Sequence, residues 1–211
     1  MKILVIGQPR SRSNLITAAL SNFYNIPNLI EPYDTIQVND DEKKYVVDVQ
    51  KITDNLLKNQ DFVCKLQTSQ IKIENLINFF NHFQFNVYDK VFITERKNTV
   101  EQVASLLLSQ FTNKWTTYYK NPPIITFDPR RDYPVIEEIA NEFLKVRILT
   151  DLLNKNDILY HLLNYESIEE WIKNNLDNIE TDFKKSDYDY KKLISNYSQL
   201  EHSVLEHFNK L

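Results

Sequence analysis

A single glycine, Gly7, stands in a chain of 211 residues. Average usage is about 7%, so Asn, Asp and Pro must make most turns, and Gly7 marks a place worth close reading. One cysteine, Cys64, excludes an internal disulfide framework and any multi-cysteine zinc site. The histidines His82, His161, His202 and His207 form no HExxH and no H-x-H pair, so no metal site is expected. No stretch approaches the roughly 20 apolar residues of a membrane span. The apolar run after Met1 is too short for a signal peptide, and a cytoplasmic, soluble protein is expected. Basic charge is not in excess: 25 Lys plus Arg against 29 Asp plus Glu give a net charge of -4. That argues against a general nucleic-acid binder. What the chain does have is a 42% hydrophobic fraction, enough for the core of one α/β domain over 1–211.

The apolar runs at 2–7, 62–66 and 89–95 predict buried strands, and 157–164 predicts a further short one. Helical spacing of apolar residues predicts helices over 14–23, 45–59, 71–84 and 135–154, from Asn98, from Ser167 and at the C-terminus. Asn98 and Glu101 form a capping-box-like pair. Residues 26–34 are expected to run extended between two prolines, and 121–134, with four of the seven prolines, to form a loop. Alternating strands and helices predict a mostly parallel central sheet flanked by helices.

In such a sheet ligands bind at the carboxyl ends of the strands. The loop after the first strand reads Gly7-Gln8-Pro9-Arg10-Ser11-Arg12-Ser13-Asn14 and runs into a helix. Free N–H groups at a helix start, two guanidinium groups and two hydroxyls describe a phosphate or sulfate cradle. Solvated arginines in front of a plain Ser13 N-cap are the bland alternative. Aligned on Gly7, the GxxxxGK[ST] pattern of a nucleotide triphosphatase places Arg12, Ser13 and Asn14 where Gly, Lys and Ser/Thr are needed. GxGxxG is absent too.

The stretch PRSRSNLI resembles the 5′-phosphosulfate loop of the sulfotransferases, typically PRSGTTxL or PPRTGSTLL. A second segment strengthens the likeness. Arg96 at the end of the third strand and Ser105 on the next helix resemble the 3′-phosphate motif of that superfamily. Arg96-Lys97-Asn98 followed by Gln102-Val103-Ala104-Ser105 is similar to R-x-D-x-x-x-Q-A-x-S of the bacterial Stf-zero (trehalose sulfotransferase-like) branch, with Asn98 in place of Asp. Val63-Cys64-Lys65-Leu66 resembles a lysine-bearing strand of the same branch, Ile30-Glu31-Pro32-Tyr33 its E-x-[YF] segment, and Asn164-Tyr165-Glu166-Ser167 a YEDL-type segment.

The resemblance implies a P-loop NTPase-like sulfotransferase fold and a donor, PAPS (3′-phosphoadenosine 5′-phosphosulfate), whose product is PAP. It implies Arg10, Ser11, Arg12, Ser13, Asn14 and Lys65 around the phosphosulfate, Arg96 and Ser105 on the 3′-phosphate, and Glu31 as catalytic base with Arg10 stabilising the leaving group. Asp34 is a fallback base. Partial burial after the apolar 28–30 run could raise the basicity of Glu31. Arg12 stands where the family often has Gly, which costs about 1 kcal/mol or more if that position needs positive φ. Arg130 and Arg131 lie in the proline-flanked loop and could contact donor or acceptor. Trp115, Tyr118, Tyr119, Phe127 and Tyr133 suit a carbohydrate acceptor, a core or a homodimer surface. A small-molecule kinase and a non-catalytic anion-binding protein remain as alternatives.

Overall fold

The computed structural model describes residues 1–32, 42–113, 121–176 and 188–211. The chain divides into two compact units, Met1–Glu95 with Glu142–Thr181 and Arg96–Asn141 with Asp182–Leu211.

The first unit is built on four parallel strands, β1 (Lys2–Gly7), β2 (Phe62–Gln67), β3 (Lys90–Glu95) and β4 (His161–Asn164), in the order β2-β1-β3-β4. Strands β1 to β3 read as continuous apolar runs because both faces are covered. Leu4, Ile6, Phe62, Cys64, Leu66, Val91 and Ile93 pack on one face with Val49 of α2 (Glu42–Leu56), Phe79 of α3 (Leu76–His82) and Val146, Leu149 and Leu153. Ile3, Val5, Val63, Phe92 and Leu163 pack on the other face with Leu15, Ile16, Ala19 and Leu20 of α1 (Ser13–Tyr24) and with Ile168 and Ile172 of α6 (Ile168–Asn175). The outer edge of β2 is lined by extended chain, as the two prolines suggest. Val63 N–H donates to Pro27 C=O (2.8 Å), Leu29 N–H to Val63 C=O (2.9 Å) and Lys65 N–H to Ile30 C=O (2.8 Å).

The second unit holds α4 (Thr99–Thr112), the first half of α5 (Pro129–Lys155), α7 (Tyr190–Leu193) and α8 (Tyr197–Phe208) around Val103, Leu107, Phe127, Ile136, Ile139, Leu200 and Val204. Asn98 caps α4, its Oδ1 accepting from Glu101 N–H at 3.1 Å. The return half of the capping box is replaced by a bond from Arg96 to the Glu101 carboxylate.

Several boundaries differ from expectation, among them those of the helix predicted for 45–59, which runs Glu42–Leu56. The loop predicted for 121–134 ends at Asp128. Pro129 opens α5 at the first helical position, where its missing N–H costs nothing. Asp128 Oδ1 accepts from Arg130 N–H at 3.0 Å. Pro134 sits inside the helix. The helix predicted for 71–84 shortens to Leu76–His82 behind a single 3-10 turn, and the strand predicted for 157–164 keeps only His161–Asn164, since the chain turns at Asp157 (φ 55).

Candidate functional site

In the first unit all four strands point the same way, so one edge of the sheet collects Gly7, Gln67, Thr94 and Asn164. From β1 the chain leaves toward β2, and β3 lies on the other side, so the switch point at which sheets of this kind take ligands falls between the carboxyl ends of β1 and β3. The loop Gln8–Arg12 fills this place.

Its shape comes from a small set of bonds. Gln8 N–H donates to Thr94 C=O (3.3 Å), and Gln8 C=O accepts from Ser11 N–H (3.3 Å) and from Ser11 Oγ (2.6 Å). Thr94 Oγ1 is 2.7 Å from Ser11 Oγ. Ser11 has one hydroxyl proton and gives it to Gln8, so Thr94 donates to Ser11. Ser11 therefore fastens the loop to β3. The hydroxyl left over is that of Ser13. It lies against Gly7, where a Cβ would come within 2.7 Å of Ser13 Oγ and 2.9 Å of Thr94 Oγ1. Ser13 is 6% exposed, and among the described residues its hydroxyl has no hydrogen-bond partner. Glycine is required at position 7 for this close approach, since its φ is not positive.

Helix α1 begins one residue earlier than a plain Ser13 cap would place it. Arg12 is its N-cap, with φ 61 and ψ 24 instead of the usual extended conformation. Arg12 C=O accepts from Leu15 N–H (3.0 Å) and Ile16 N–H (3.3 Å), so the N–H groups of Ser13 and Asn14 precede the helical ladder. Arg10 is also left-handed, at φ 62, and Ile30 stands at φ 52. Asn25, Asn113 and Asp157 share this region, but Asn and Asp tolerate it. Arg10, Arg12 and Ile30 do not, and all three lie at or beside the expected site. Backbone strain of this kind concentrates at functional sites.

Lys65, near the end of β2, is 1% exposed. Its ammonium pairs with Glu31 and hydrogen-bonds Asn14 Oδ1. Glu31 also accepts from Gln67 Nε2 at 2.9 Å. Three expected residues, Asn14, Glu31 and Lys65, thus form one cluster at the start of α1. Arg12 turns outward from the loop: Nη1 is 2.9 Å from Glu169 Oε1, and the guanidinium lies 4.2 Å over the Tyr165 ring. Asp34 and Tyr33 lie outside the described residues, as do Trp115, Tyr118 and Tyr119.

In the second unit Arg96 is 2% exposed and its Nη2 is 2.8 Å from Glu101 Oε2. Ser105 and Gln102 are buried in α4. Arg131 is held at the start of α5 by Asp132 (Nη2 to Oδ2, 2.7 Å) and by Thr126 C=O (2.9 Å). Phe127 belongs to the core, and Tyr133 Oη is 2.8 Å from His207 Nδ1.

The residues missed in the sequence are Gln67, Thr68, Glu142 and Lys145. Lys145 Nζ donates to Thr68 C=O (2.7 Å) and Ile71 C=O (2.9 Å) and pairs with Glu142, which accepts from Thr68 Oγ1. This buried network fixes the turn after β2. Its signal was a charged residue, Glu142, at an apolar stripe position between Ile139 and Val146. Burial pushes the Cys64 thiol up to about 12, against a smaller opposite pull from its hydrogen bond to Tyr88. A thiol so protonated is no nucleophile. Among the described residues no group of three or more His, Cys, Asp or Glu could hold a metal ion, and no helix is long and apolar enough to cross a membrane.

Fold and site together define an α/β protein with a strained, hydroxyl-bearing loop at the head of a parallel sheet. No protein-family model matches this sequence, and a search of curated proteins finds no match.

Proposed function

We propose that the chain is a PAPS-dependent sulfotransferase acting on a hydroxyl of a small-molecule or carbohydrate acceptor. The observation that carries this reading is Ser13, a residue 6% exposed whose hydroxyl has no hydrogen-bond partner among the described residues, at the start of α1, behind a loop whose two arginines adopt left-handed backbone. Successive N–H groups in such a turn form an anion-binding concavity. The residues fit a phosphosulfate: Ser13 Oγ, the N–H groups of Ser13 and Asn14, and the Arg10 side chain supply donors, and Lys65 brings a cation to Asn14 in the absence of a loop lysine.

PAPS supplies the sulfonate. The acceptor hydroxyl oxygen forms the new S–O bond as the bond from sulfur to the bridging phosphate oxygen breaks. Glu31 takes the acceptor proton, and Arg10 stabilises charge on the departing phosphate. Lys65 and Gln67 orient the Glu31 carboxylate. Arg96 and Ser105 are assigned the 3′-phosphate by the resemblance alone.

Calorimetric titration of PAP, with AMP and Mg-ATP beside it, tests the reading. PAP is expected to bind best. Ser13→Ala should weaken it about fivefold and Arg10→Ala about tenfold or more. Arg96→Ala tests whether the second unit serves the same ligand. Sulfate transfer from PAPS across an acceptor panel, lost in Glu31→Gln, would establish the chemistry. Preference for Mg-ATP would instead favour a kinase. The engagement of Glu31 by both Lys65 and Gln67 favours one second reading, a non-catalytic anion-binding protein. In that case PAP binds and no acceptor is turned over.

A further inference from the structure

We infer that Glu169 and Tyr165 are positioning residues of the first loop: they hold Arg12 in the left-handed conformation from which α1 begins. The inference rests on reading that loop as an anion cradle.

An arginine at φ 61 is strained by contact between its Cβ and the following carbonyl. Glycine would adopt this conformation freely. Something must offset the strain, and the side chain supplies it. The Arg12 side chain is 11% exposed and that of Glu169 53%, so their ion pair at 2.9 Å is sheltered on the arginine side and screened by water on the other. The guanidinium also covers the Tyr165 ring at 4.2 Å, within cation–π range. Glu169 sits in the first turn of α6, where a carboxylate is favoured by the helix dipole. Tyr165 lies in the 3-10 turn that follows β4. The tether therefore runs from the rigid carboxyl end of the sheet to the residue whose C=O receives the first two bonds of α1. If the tether is cut, residue 12 can relax out of the left-handed region, and the N–H groups of Ser13 and Asn14 rotate with it. Arg12 Nη2 is buried with no partner among the described residues. A direct hold on the ligand through that nitrogen is therefore the competing role, and glycine separates the two.

The test uses the full chain, with PAP and inorganic pyrophosphate as probes in calorimetric titrations. Glu169→Gln and Tyr165→Leu should each weaken both anions about five- to tenfold, a loss set by the strain of one left-handed residue. Tyr165→Phe, which keeps the ring face, should bind like the native protein. Arg12→Gly, which adopts the left-handed conformation without a tether, should keep more affinity than Glu169→Gln does. In its background Glu169→Gln should have no further effect. Glu169 is exposed, so its variant is expected to fold even if Tyr165→Leu does not. If the native chain binds an anion and Glu169→Gln binds it equally well, the positioning role is overturned while the cradle stands. If Arg12→Gly alone abolishes binding, Arg12 is itself a ligand and the positioning role is again overturned. If the native chain binds neither probe, the cradle reading fails and takes this inference with it.

Discussion

Lys65 and Glu31 form an ion pair whose two partners are unequally buried, the lysine side chain being 1% exposed and the glutamate 23%. Breaking such a pair from its two ends should not cost the same. Glu31→Ala leaves a buried ammonium with Asn14 as a neutral partner and is expected to destabilise the chain by about 3 kcal/mol. Lys65→Met leaves a carboxylate that water and Gln67 can still reach and should cost about 1 kcal/mol or less. Urea denaturation of the two variants checks the order. Equal losses would mean that the cluster is more open to water than its burial indicates.

That cluster was half legible in the sequence. Lys65 stands out because a charged residue interrupts a buried strand, and Glu31 because it precedes a proline after an apolar run. Neither fact shows that they meet, since pairing depends on how the chain at 27–30 lies along β2. The strands and α1 were readable because apolar runs and helical spacing are local signals. The start of α5 was not, because proline density reads as loop until Asp128 is seen to cap the helix and Pro129 to occupy its first position. Glu142 and Lys145 escaped for a different reason. Glu142 does interrupt an apolar stripe, but beyond each other their partners are the C=O groups of Thr68 and Ile71 and the Thr68 hydroxyl, and no residue pattern announces a backbone acceptor.

Ile30 is the cleanest place to measure the strain. It is 62% exposed, β-branched and left-handed at φ 52. Replacing it removes little buried surface. Ile30→Gly relieves the clash but frees the unfolded chain, and Ile30→Asn tolerates the conformation with less freedom to lose. Both should raise stability, Asn by about 1 kcal/mol, read as an increase in Tm. A fall in Tm for both would show that the Ile30 side chain makes contacts that outweigh its strain.

Asp132 should give the second unit an acid-side stability loss. Burial tends to raise its carboxyl, but the hydrogen bond from Arg131 and that from Asp128 N–H outweigh it and hold the group below the ordinary carboxylate range. A lowered folded value means stability that is present above the unfolded value, about 4, and lost as pH falls through the folded one. Asp132→Asn should be less stable than the native chain near pH 7, and the difference should shrink below about pH 4. A difference independent of pH would assign the effect to helix capping geometry and not to charge.

Cys64 should be silent toward thiol reagents. With the thiol pushed up to about 12 and the residue fully buried, it is almost wholly protonated at pH 8. Labelling should follow global unfolding and reach completion only in denaturant. Fast labelling of the native protein would require a local opening of β2 that the packing of Phe62, Cys64 and Leu66 against α3 and α5 opposes.

Gly7 carries the sharpest steric prediction. Its hydrogen faces Ser13 and Thr94, and an added Cβ would lie 2.7 Å from Ser13 Oγ and 2.9 Å from Thr94 Oγ1. Neither neighbour can move cheaply. Thr94 is fully buried and donates to Ser11, which in turn closes the loop through Gln8. Ser13 is fixed as the first residue of α1. Gly7→Ala should therefore cost about 1–3 kcal/mol, the range for overpacking, and should weaken PAP more than Ser13→Ala does, because it displaces the whole helix start and not one hydroxyl. Adding Ser13→Gly to Gly7→Ala removes the nearest obstruction and should recover part of the stability without recovering PAP affinity. Equilibrium denaturation and titration of the same two proteins separate these effects. A stable Gly7→Ala variant that binds PAP like the native chain would show that the one glycine of the sequence is not needed for the loop.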